Sequence, residues 1–520
     1  MSGVSAPTIA QRHATADREN RYASVLTMSP PAAADLRPLP LDPGRNCWKV
    51  AKADRAAFIV DADDYYRVAR KAMLSARSRI MLIGWDVDTR ICLDQNSDDE
   101  APNHLGPLLS WLHANRPELE IFVLAWNAAA YKFLGRGSTI FRLVTWARHK
   151  RVHFRFDAKH PFEASHHQKI LVIDDSLAFC GGIDMTGSRW DTREHKDDDP
   201  GRRRPTTGRP YTPWHDTAMA MDGEAARALG ELARLRWKVG CAEELDEASL
   251  PPKAPWPEGL EPGFRDIDIA IARTRGKVPN WTEVREIEAL YVDMIMAAER
   301  FVYMENQYFA SRVIAQAMAR RLKEKGGPEF LLVTAKTGMG WLDDEAMSPA
   351  RAELMKALGE ADHEGRLRLY HPVTQGGEDI YVHSKVTIVD NRMLRVGSAN
   401  LNNRSMGLDS ECDVLIDAAQ DPSGAAARTI AAIRADLMAE HLGVEVAEVD
   451  REFGRTNSLI ETVEALRGEG RTLLPLEPEE PSELEKTLAH SESLDPESAD
   501  ESFEPLARHR LLGGIRRLRR

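Results

Sequence analysis

The feature that most constrains this 520-residue chain is a pattern that occurs twice, 216 positions apart. The pattern is His-x-Lys followed after four residues by Asp, and its copies are His167, Lys169, Asp174 and His383, Lys385, Asp390. Seven residues beyond each Asp comes a glycine turn, which reads Gly-Gly-Ile-Asp in the first copy and Gly-Ser-Ala-Asn in the second. The shared spacing and turn indicate a duplicated unit, and each half of the chain is predicted to supply half of one site.

Helices alternate with short apolar strands around each copy of the pattern. In the first half a helix is predicted at 62–78, with strands at 80–83, 121–126, 152–156 and 169–173. The second half repeats this order, with a helix at 284–299 and strands at 301–304, 330–334, 367–370 and 382–389. Such alternation predicts α/β layers. The fold class is therefore expected to be α/β, with two similar lobes related by pseudo-twofold symmetry around one cleft.

Composition along the chain divides it into four parts. Residues 1–44 are predicted to be a flexible leader, 45–250 an N-terminal lobe, and 251–445 a C-terminal lobe joined through the Pro-rich crossover 251–262. Residues 446–520 are expected to be an acidic, disordered tail, because Pro, Glu and Ser dominate it to about residue 504.

Two charged segments leave alternatives open. The insert at 194–213 reads either as a solvated loop or as a lid over the cleft. The last segment, 508–520, carries six arginines with apolar residues between them. It fits a basic amphipathic membrane contact and equally a frayed, solvated tail.

Charge and cysteine usage restrict the partners and the compartment. The net charge of −12 argues against a protein that grips long nucleic acid through its phosphates. The five cysteines are scattered and form no C-x-x-C pair, which favours reduced thiols. A signal segment and a long apolar run are both missing from the sequence. We therefore expect a cytoplasmic protein, with a position peripheral to the membrane as the alternative.

Two histidines and two lysines in one cleft make an anion pocket with its own acid and base. Imidazole acts as a nucleophile or proton carrier near neutral pH, and ammonium groups neutralise phosphoryl oxygens. One histidine would form a phosphohistidine, while the other protonates the leaving oxygen and then activates water or an alcohol. Ser398 and Asn400 are expected to donate hydrogen bonds to the same oxygens. This scheme needs neither a metal nor another cofactor.

The two Asp residues complete the predicted catalytic set, but they stand where strands end. Asp174-Asp175 and Asp390-Asn391 are good turn sequences. A structural role, in pairing or in a turn, is therefore favoured for both over direct chemistry.

The duplicated motif resembles that of the phospholipase D superfamily, whose defining pattern is His-x-Lys-x4-Asp-x6-Gly-Ser-x-Asn in two copies. The similarity covers about residues 48–443 and looks like the phospholipase D enzymes proper, of the eukaryotic type and its bacterial relatives. Further matching segments are Gly84-Trp85-Asp86, Gly187-Ser188-Arg189-Trp190-Asp191, Pro213-Trp214-His215-Asp216, Glu305-Asn306-Gln307-Tyr308-Phe309, Arg404-Ser405-Met406 and Asp409-Ser410-Glu411.

The resemblance implies both a fold and a reaction. The fold is a pair of α-β-α sandwich lobes, and the reaction is hydrolysis of glycerophospholipids such as phosphatidylcholine to phosphatidic acid and a headgroup alcohol, with possible transphosphatidylation. It assigns the nucleophile to His167 and the acid/base role to His383. Asp191 and Glu411 are the best placed acids to orient the histidines. The implied partners are a phospholipid substrate and, transiently, a membrane surface.

Several alternatives remain. The same residues suit a cardiolipin synthase-like phosphatidyltransferase, a nuclease of the superfamily, or a lipid-binding module without activity. The charge weighs against the nuclease, and the intact motifs weigh against the inactive module. A metal cluster of His160, Glu163 and His166 is disfavoured, because their spacing is not a usual ligand spacing. Trp85 and Trp190 are expected either to line the cleft for a headgroup or to pack in the core.

Overall fold

The structure is a computed structural model that describes residues 37–127, 145–146, 149–161, 164–248, 255–278, 280–338 and 341–476. Among these residues, no helix is both long and apolar enough to cross a membrane. The segment 508–520 and residues 1–36 lie outside the described residues, as does Glu163.

The described elements of the two halves follow one another in a similar order. Those of the first half are β1 (Lys49–Val60), α1 (Ala62–Ser75), β2 (Arg79–Gly84), α2 (Leu105–Asn115), β3 (Glu120–Trp126), β4 (Val152–Asp157), β5 (Ile170–Ile173), β6 (Leu177–Gly181), β7 (Trp214–His215), β8 (Thr217–Asp222) and α3 (Gly223–Cys241). The second half begins with β9 (Phe264–Arg275), β10 (Val284–Arg285), α4 (Glu286–Met296), β11 (Phe301–Asn306), α5 (Arg312–Leu322), β12 (Glu329–Thr334), α6 (Trp341–Ala361) and β13 (Leu367–Val373). It continues with β14 (Tyr381–Val382), β15 (Val386–Val389), β16 (Met393–Gly397), α7 (Asn403–Gly407), β17 (Glu411–Asp417), α8 (Ala425–Leu442), α9 (Val446–Thr456), α10 (Leu459–Leu466) and β18 (Thr472–Pro475).

One continuous sheet runs through both halves. Its order is β18-β13-β12-β11-β15-β16-β17-β9-β1-β8-β6-β5-β2-β3-β4, with β10 paired to β9. On either side of the central antiparallel pair β9–β1, the strands repeat in mirror order with the same parallel and antiparallel pairings. The predicted pseudo-twofold repeat is thus confirmed, and the two long central strands join the lobes into one sheet.

Helices cover both faces of the sheet and make the α-β-α sandwich. Side chains alternate across each strand, so Met81 and Ile83 enter a core shared by both halves, while Ile80 and Leu82 enter a separate core of the first half. The shared core lies under α3 and α8, and the separate core lies under α1 and α2. A third core under α4 and α5 serves the second half. The expected α/β sandwich is therefore confirmed.

The prediction of a flexible leader over residues 1–44 is wrong for the residues from Leu39 onward. Leu39 is buried in the core of the second half, and its backbone N–H donates to Asp417 Oδ2 at 2.7 Å. Asn46 donates to Asp293 Oδ2 at 2.6 Å. Proline-rich composition suggested a loose segment, but an apolar side chain and backbone donors attach residues 39–46 to the second half.

The disordered tail is also corrected in its first part. Residues 446–475 form α9, α10 and β18, and β18 pairs antiparallel with β13. Val449, Phe453, Leu459 and Val463 pack on the shared core, while acidic residues occupy the outer faces. A segment of amphipathic helices with many acidic surface residues has a composition like that of a disordered tail. Only the periodicity of its apolar residues distinguishes the two.

The charged insert is anchored rather than simply solvated. His195 and Arg202 are buried, and Asp197 accepts hydrogen bonds from the Thr374 hydroxyl and from Gly376 N, the latter at 3.0 Å. Residues 203–210 remain exposed. The insert therefore connects the first half to the loop after β13.

Candidate active site

Each His-x-Lys segment is held by the opposite half of the chain. The His167 backbone N–H donates to Ser410 O at 2.9 Å, and the His383 backbone N–H donates to His215 O at 2.8 Å. The parallel pair β7–β14 continues the second of these contacts. The two halves thus exchange backbone hydrogen bonds at the site, and neither half holds its own motif alone.

The side chains follow the same crossed arrangement. His167 Nδ1 lies 3.0 Å from both carboxylate oxygens of Glu411, and His383 Nδ1 lies 2.7 Å from Asp216 Oδ2. Both acids are buried. A carboxylate on Nδ1 fixes the ring and leaves Nε2 as the reactive nitrogen. His167 has the more accessible side chain, with 14% exposed against 6% for His383.

The two lysines lie within the same cluster. Lys169 Nζ donates to His167 O at 2.9 Å and lies 3.2 Å from Asp184 Oδ2. Lys385 Nζ donates to His383 O and lies 3.5 Å from Gln307 Oε1. Burial, together with the charge of Lys169, lowers the pKa of Lys385 to about 7, although Asp216 opposes the shift. An anion placed between the lysines would restore the full charge of Lys385.

The titration of the site is set by burial and by the lysines. Burial, Lys169 and Lys385 hold the pKa of His167 well below its usual value, and burial and Lys385 do the same for His383. Burial raises the pKa of Glu411 to about 8 and that of Asp216 to about 7. Imidazolium with carboxylate and imidazole with carboxyl hold the same number of protons, so each pair titrates as a unit.

The pKa values of the two carboxyl groups lie close together, so near neutral pH some molecules have one pair protonated and the other deprotonated, in either arrangement. The deprotonated pair leaves a lone pair on imidazole Nε2, which a nucleophile needs, and the protonated pair provides a general acid. The arrangement thus suits displacement at a phosphate between two imidazoles.

The glycine turns leave room for the acids. A Cβ added to Gly182 would overlap Asp216 Oδ1, and one added to Gly397 would overlap the Asp413 carboxylate. Asp413 in turn accepts the backbone N–H of Ser398 at 3.0 Å and pairs with the buried Arg395. Glycine at these positions is required by the close approach of a carboxylate.

The two Asp residues of the motif lie away from this cluster, which corrects their inclusion in the predicted catalytic set. Asp174 accepts the backbone N–H groups of residues 77–79 at 2.7–2.8 Å, and Asp390 accepts those of residues 299–301 at 2.7–2.9 Å. The lysine and the Asp of each motif are five residues apart along an extended strand, roughly 16 Å at the usual rise. Both carboxylates cap the start of a neighbouring strand, as the turn sequences suggested.

Of the two acids expected to orient the histidines, the structure places one beside a motif histidine and the other elsewhere. Glu411 does contact His167, but Asp191 contacts His195, Arg202 and the backbone N–H of Trp214 instead of a motif histidine. The second orienting acid is Asp216, which the sequence reasoning missed. A signal was present, because Asp216 immediately precedes β8 and Glu411 begins β17, the equivalent strands of the two halves.

Ser398 and Asn400 stand at the second glycine turn in different roles. The Ser398 hydroxyl donates to Glu411 Oε2 at 2.5 Å, and Ser405 donates to Glu411 Oε1 at 2.7 Å. Ser398 therefore positions the acid, in place of its expected contact with substrate oxygens. Asn400 is buried, and its Oδ1 has no hydrogen-bond partner among the described residues.

An aromatic pair lies next to the second histidine. Trp214 stacks on Tyr381 with ring centroids 4.7 Å apart, and its ring lies 5.0 Å from that of His383. The Arg189 guanidinium lies over the Trp214 ring, 4.2 Å from its centroid. Trp85 stacks on Trp126, and Trp190 donates to Asp63 Oδ1 at 3.1 Å. The aromatic neighbours of the histidine are thus Trp214 and Tyr381 rather than the two tryptophans named from the sequence.

The comparisons with known proteins agree with this geometry. A family model described as phospholipase D matches residues 72–253, and one described as cardiolipin synthase, PLD-like domain, matches residues 291–432. The chain is 24% identical to phospholipase D A of Dictyostelium discoideum over 74% of this chain and 35% of the relative. It is also 24% identical to phospholipase D alpha 4 of Arabidopsis thaliana, over 82% of this chain and 71% of the relative.

Among solved structures, phosphatidylserine synthase of Haemophilus influenzae superposes with a TM-score of 0.50 at 13% identity, over 79% of this chain and 94% of that one. At that identity the likeness shows the fold alone. The chain spans about a third of the Dictyostelium relative's length. Each family match contains one copy of the duplicated motif, and the crossed pairs bring the copies into one site: this chain belongs to the phospholipase D superfamily.

Proposed function

We propose that the chain is a phospholipase D-type phosphodiesterase that releases the headgroup alcohol of a glycerophospholipid and leaves phosphatidic acid. The observation that carries this proposal is the pair of histidines, each with a buried carboxyl group on Nδ1, beside two lysines. Phosphodiester displacement needs a nucleophile, an acid for the leaving oxygen and cations for the phosphoryl oxygens. The site contains all three.

In the proposed reaction, His167 Nε2 attacks phosphorus. The P–N bond forms as the bond to the headgroup oxygen breaks, and His383 gives its proton to that oxygen. His383 then takes a proton from water, whose oxygen attacks phosphorus and breaks the P–N bond. His167 receives the nucleophilic role because of its greater exposure and the family resemblance. Lys169 and Lys385 would neutralise the non-bridging oxygens throughout.

A lipid substrate is supported by two observations. The relatives named above are phospholipases D by name. In addition, Trp214 and Tyr381 give the site an aromatic wall next to His383, with Arg189 over Trp214. Trp214 is buried, so the half-buried Tyr381 is the accessible part of this wall, and it suits an apolar part of the lipid.

The test separates the two histidines by their leaving-group dependence. With phosphatidylcholine, His167→Asn and His383→Asn should each lower choline release by about 10² to 10⁴-fold. With a phosphatidyl ester of p-nitrophenol, whose leaving oxygen needs no proton, His383→Asn should still release one equivalent of p-nitrophenol and accumulate phosphohistidine. His153→Gln, which changes a histidine stacked on Phe122, is the control and should keep activity.

Near-native activity of either variant with phosphatidylcholine would refute the two-histidine mechanism. Release of one equivalent of p-nitrophenol by His167→Asn instead of by His383→Asn would reverse the assigned roles. Absence of headgroup release from every phospholipid class by the wild-type chain would refute the lipid substrate.

A second candidate is phosphatidyl transfer, in which a lipid alcohol replaces water. The match of the second half to a family described as cardiolipin synthase favours keeping it. With phosphatidylglycerol as the sole lipid, a transferase forms cardiolipin and glycerol, whereas a hydrolase forms phosphatidic acid and glycerol. Chromatography of the lipid products distinguishes the two.

A further inference from the structure

A second cluster of titratable side chains lies next to the active site. Its members are Asp61, His195, His215 and Glu440, all buried, and one ligand atom from each lies within 4.8 Å of the others. Asp61 immediately precedes α1, His195 belongs to the charged insert, His215 ends β7 and Glu440 lies in α8. None of these four residues belongs to the reaction scheme proposed above.

The distances between the histidine nitrogens and the carboxylate oxygens are near those around a tetrahedral metal ion. Glu440 Oε1 lies 2.9 Å from His215 Nδ1 and 3.2 Å from His195 Nε2. Asp61 lies 3.3 Å from His215 Nδ1 through Oδ1 and 3.4 Å from His195 Nε2 through Oδ2. Zinc bonds of 2.0–2.1 Å imply ligand–ligand edges of about 3.3–3.4 Å in a tetrahedron. Asp61 reaches the two histidines through different oxygens, and the four ligand atoms as a set lie within 4.8 Å of one another. A metal ion would therefore draw the side chains slightly together.

The remaining ring nitrogens carry the partners that metal-bound histidines normally have. His195 Nδ1 lies 2.9 Å from Asp191 Oδ2, and His215 Nε2 lies 2.9 Å from Glu305 Oε2. Metal-ligating histidines usually donate their other N–H to a carboxylate, which fixes the tautomer and strengthens the ligand. Both outer acids are buried and further held, Asp191 by Arg202 and Glu305 by His441. Both imidazoles are thus oriented with one nitrogen toward the centre of the cluster.

One oxygen in the cluster lacks a hydrogen bond. Asp61 Oδ2 is fully buried and accepts none among the described residues, although His195 Nε2 is 3.4 Å away. A buried carboxylate oxygen without a donor is costly. A cation at the centre of the cluster would satisfy it.

Charge balance alone allows two states. Although burial opposes both shifts, the carboxylates of Asp61 and Asp191 raise the pKa of His195 to about 9, and those of Glu305 and Asp61 raise the pKa of His215 well above its usual value. Two imidazolium ions, together with the Arg193 that pairs with Glu440 Oε2, could therefore balance the carboxylates. One divalent cation bound to two neutral imidazoles supplies the same charge. The convergence of four ligand atoms and the unpaired Asp61 oxygen favour the cation.

We propose that Asp61, His195, His215 and Glu440 bind one Zn²⁺ ion in a closed, structural site. Two imidazole nitrogens with two carboxylate oxygens suit zinc, whereas calcium and magnesium prefer oxygen ligands throughout. All four positions are filled by buried protein ligands, so the metal does not act as a catalyst.

The metal would hold the charged insert and α8 against the first half and support the neighbouring active-site acid. Asp61 N donates to Asp216 O at 2.7 Å, and Asp216 N donates to Asp61 Oδ1 at 3.0 Å. Asp216 is the acid on His383. Metal loss should therefore loosen the insert and the position of this acid together.

The test is the metal content of the full chain, purified without a histidine tag. Mass spectrometry of the dialysed protein should find about one zinc per chain, and removal by a chelator should lower Tm, with recovery on adding Zn²⁺. Cobalt substitution should give the intense visible bands of a tetrahedral ion. His195→Ala should lose the metal and these bands, while His371→Gln, which changes a buried histidine paired with Asp379, should retain both.

If His195→Ala does not fold, Asp191→Asn decides the matter, because loss of this outer acid should weaken zinc binding by about 10–100-fold without removing a ligand. The proposal is overturned if the wild-type chain contains no metal and tenfold excess Zn²⁺ leaves its Tm unchanged. It is also overturned if His195→Ala keeps one zinc, or if only Ca²⁺ or Mg²⁺ binds. None of these results depends on the phospholipid assays.

Discussion

The crossed acids make the sharpest prediction, and Asp216→Asn tests it. The Asp216 carboxylate lies 2.7 Å from His383 Nδ1 in a buried site, so its charge acts on the imidazolium that forms when His383 holds the proton. The side-chain amide of Asn can still accept the Nδ1 hydrogen, so ring orientation is largely kept. The substitution therefore removes mainly the charge.

The magnitude follows from the distance between the charges. Two unit charges about 4 Å apart interact by about 4 kcal/mol at an effective dielectric constant of about 20. Since about 1.4 kcal/mol corresponds to a factor of ten, kcat should fall by roughly 10³-fold. This value lies within the range of about 10²–10⁴ for general acid–base catalysis.

The assay is headgroup release at saturating substrate, with kcat and KM determined separately. Asp222→Asn is the matched control, because Asp222 is a buried acid at the other end of β8 that pairs with Arg55. We expect the control to lower Tm and leave kcat within about twofold of the wild type, since Asp222 has no part in the proton transfer. If Asp216→Asn keeps more than a tenth of the wild-type kcat while folded, the crossed-pair mechanism is wrong.

Three further outcomes are expected. Asp174→Ala should lower the free energy of unfolding by about 3 kcal/mol, because it leaves three backbone N–H groups at the start of β2 without their acceptor. Urea denaturation measures this loss, and kcat should stay unchanged. A large loss of kcat in the folded variant would contradict the capping role. Gly182→Ala should lower kcat, because the added Cβ displaces the Asp216 carboxylate from His383. A folded variant with the kcat of the wild type would refute that contact. The pH profile of kcat/KM should be bell-shaped, with its maximum near pH 7–8. Below this range both His–carboxyl pairs hold their proton, so no free nucleophile remains. Above it both pairs have lost their proton and Lys385, with its pKa of about 7, is neutral. A profile that is flat from about pH 6 to 9 would contradict this assignment.

Much of the fold was predictable because the sequence repeats its local pattern. The strands predicted at 80–83 and 301–304 appear as β2 and β11, slightly longer than expected. The long central strands β1 and β9 were not predicted, since their alternating charged and apolar residues resemble exposed segments until the partner strand is known. The first part of the tail was misjudged for a similar reason, because its many surface acids obscured the apolar stripe of α9 and α10.

The sequence by itself determined which residues are the candidates for the chemistry. A histidine and a lysine two positions apart at a strand mouth, in two copies with one spacing, already specified His167, Lys169, His383 and Lys385 as one site. Local propensity was sufficient, because the turn and the strand around each motif depend only on neighbouring residues.

Only the tertiary structure decided which acid serves which histidine. Glu411 follows the second motif in the chain but contacts the first histidine, and Asp216 follows the first motif but contacts the second. The pseudo-twofold assembly places the strand after each glycine turn against the opposite motif. A crossing of this kind depends on packing between residues more than 150 positions apart, which no local spacing encodes.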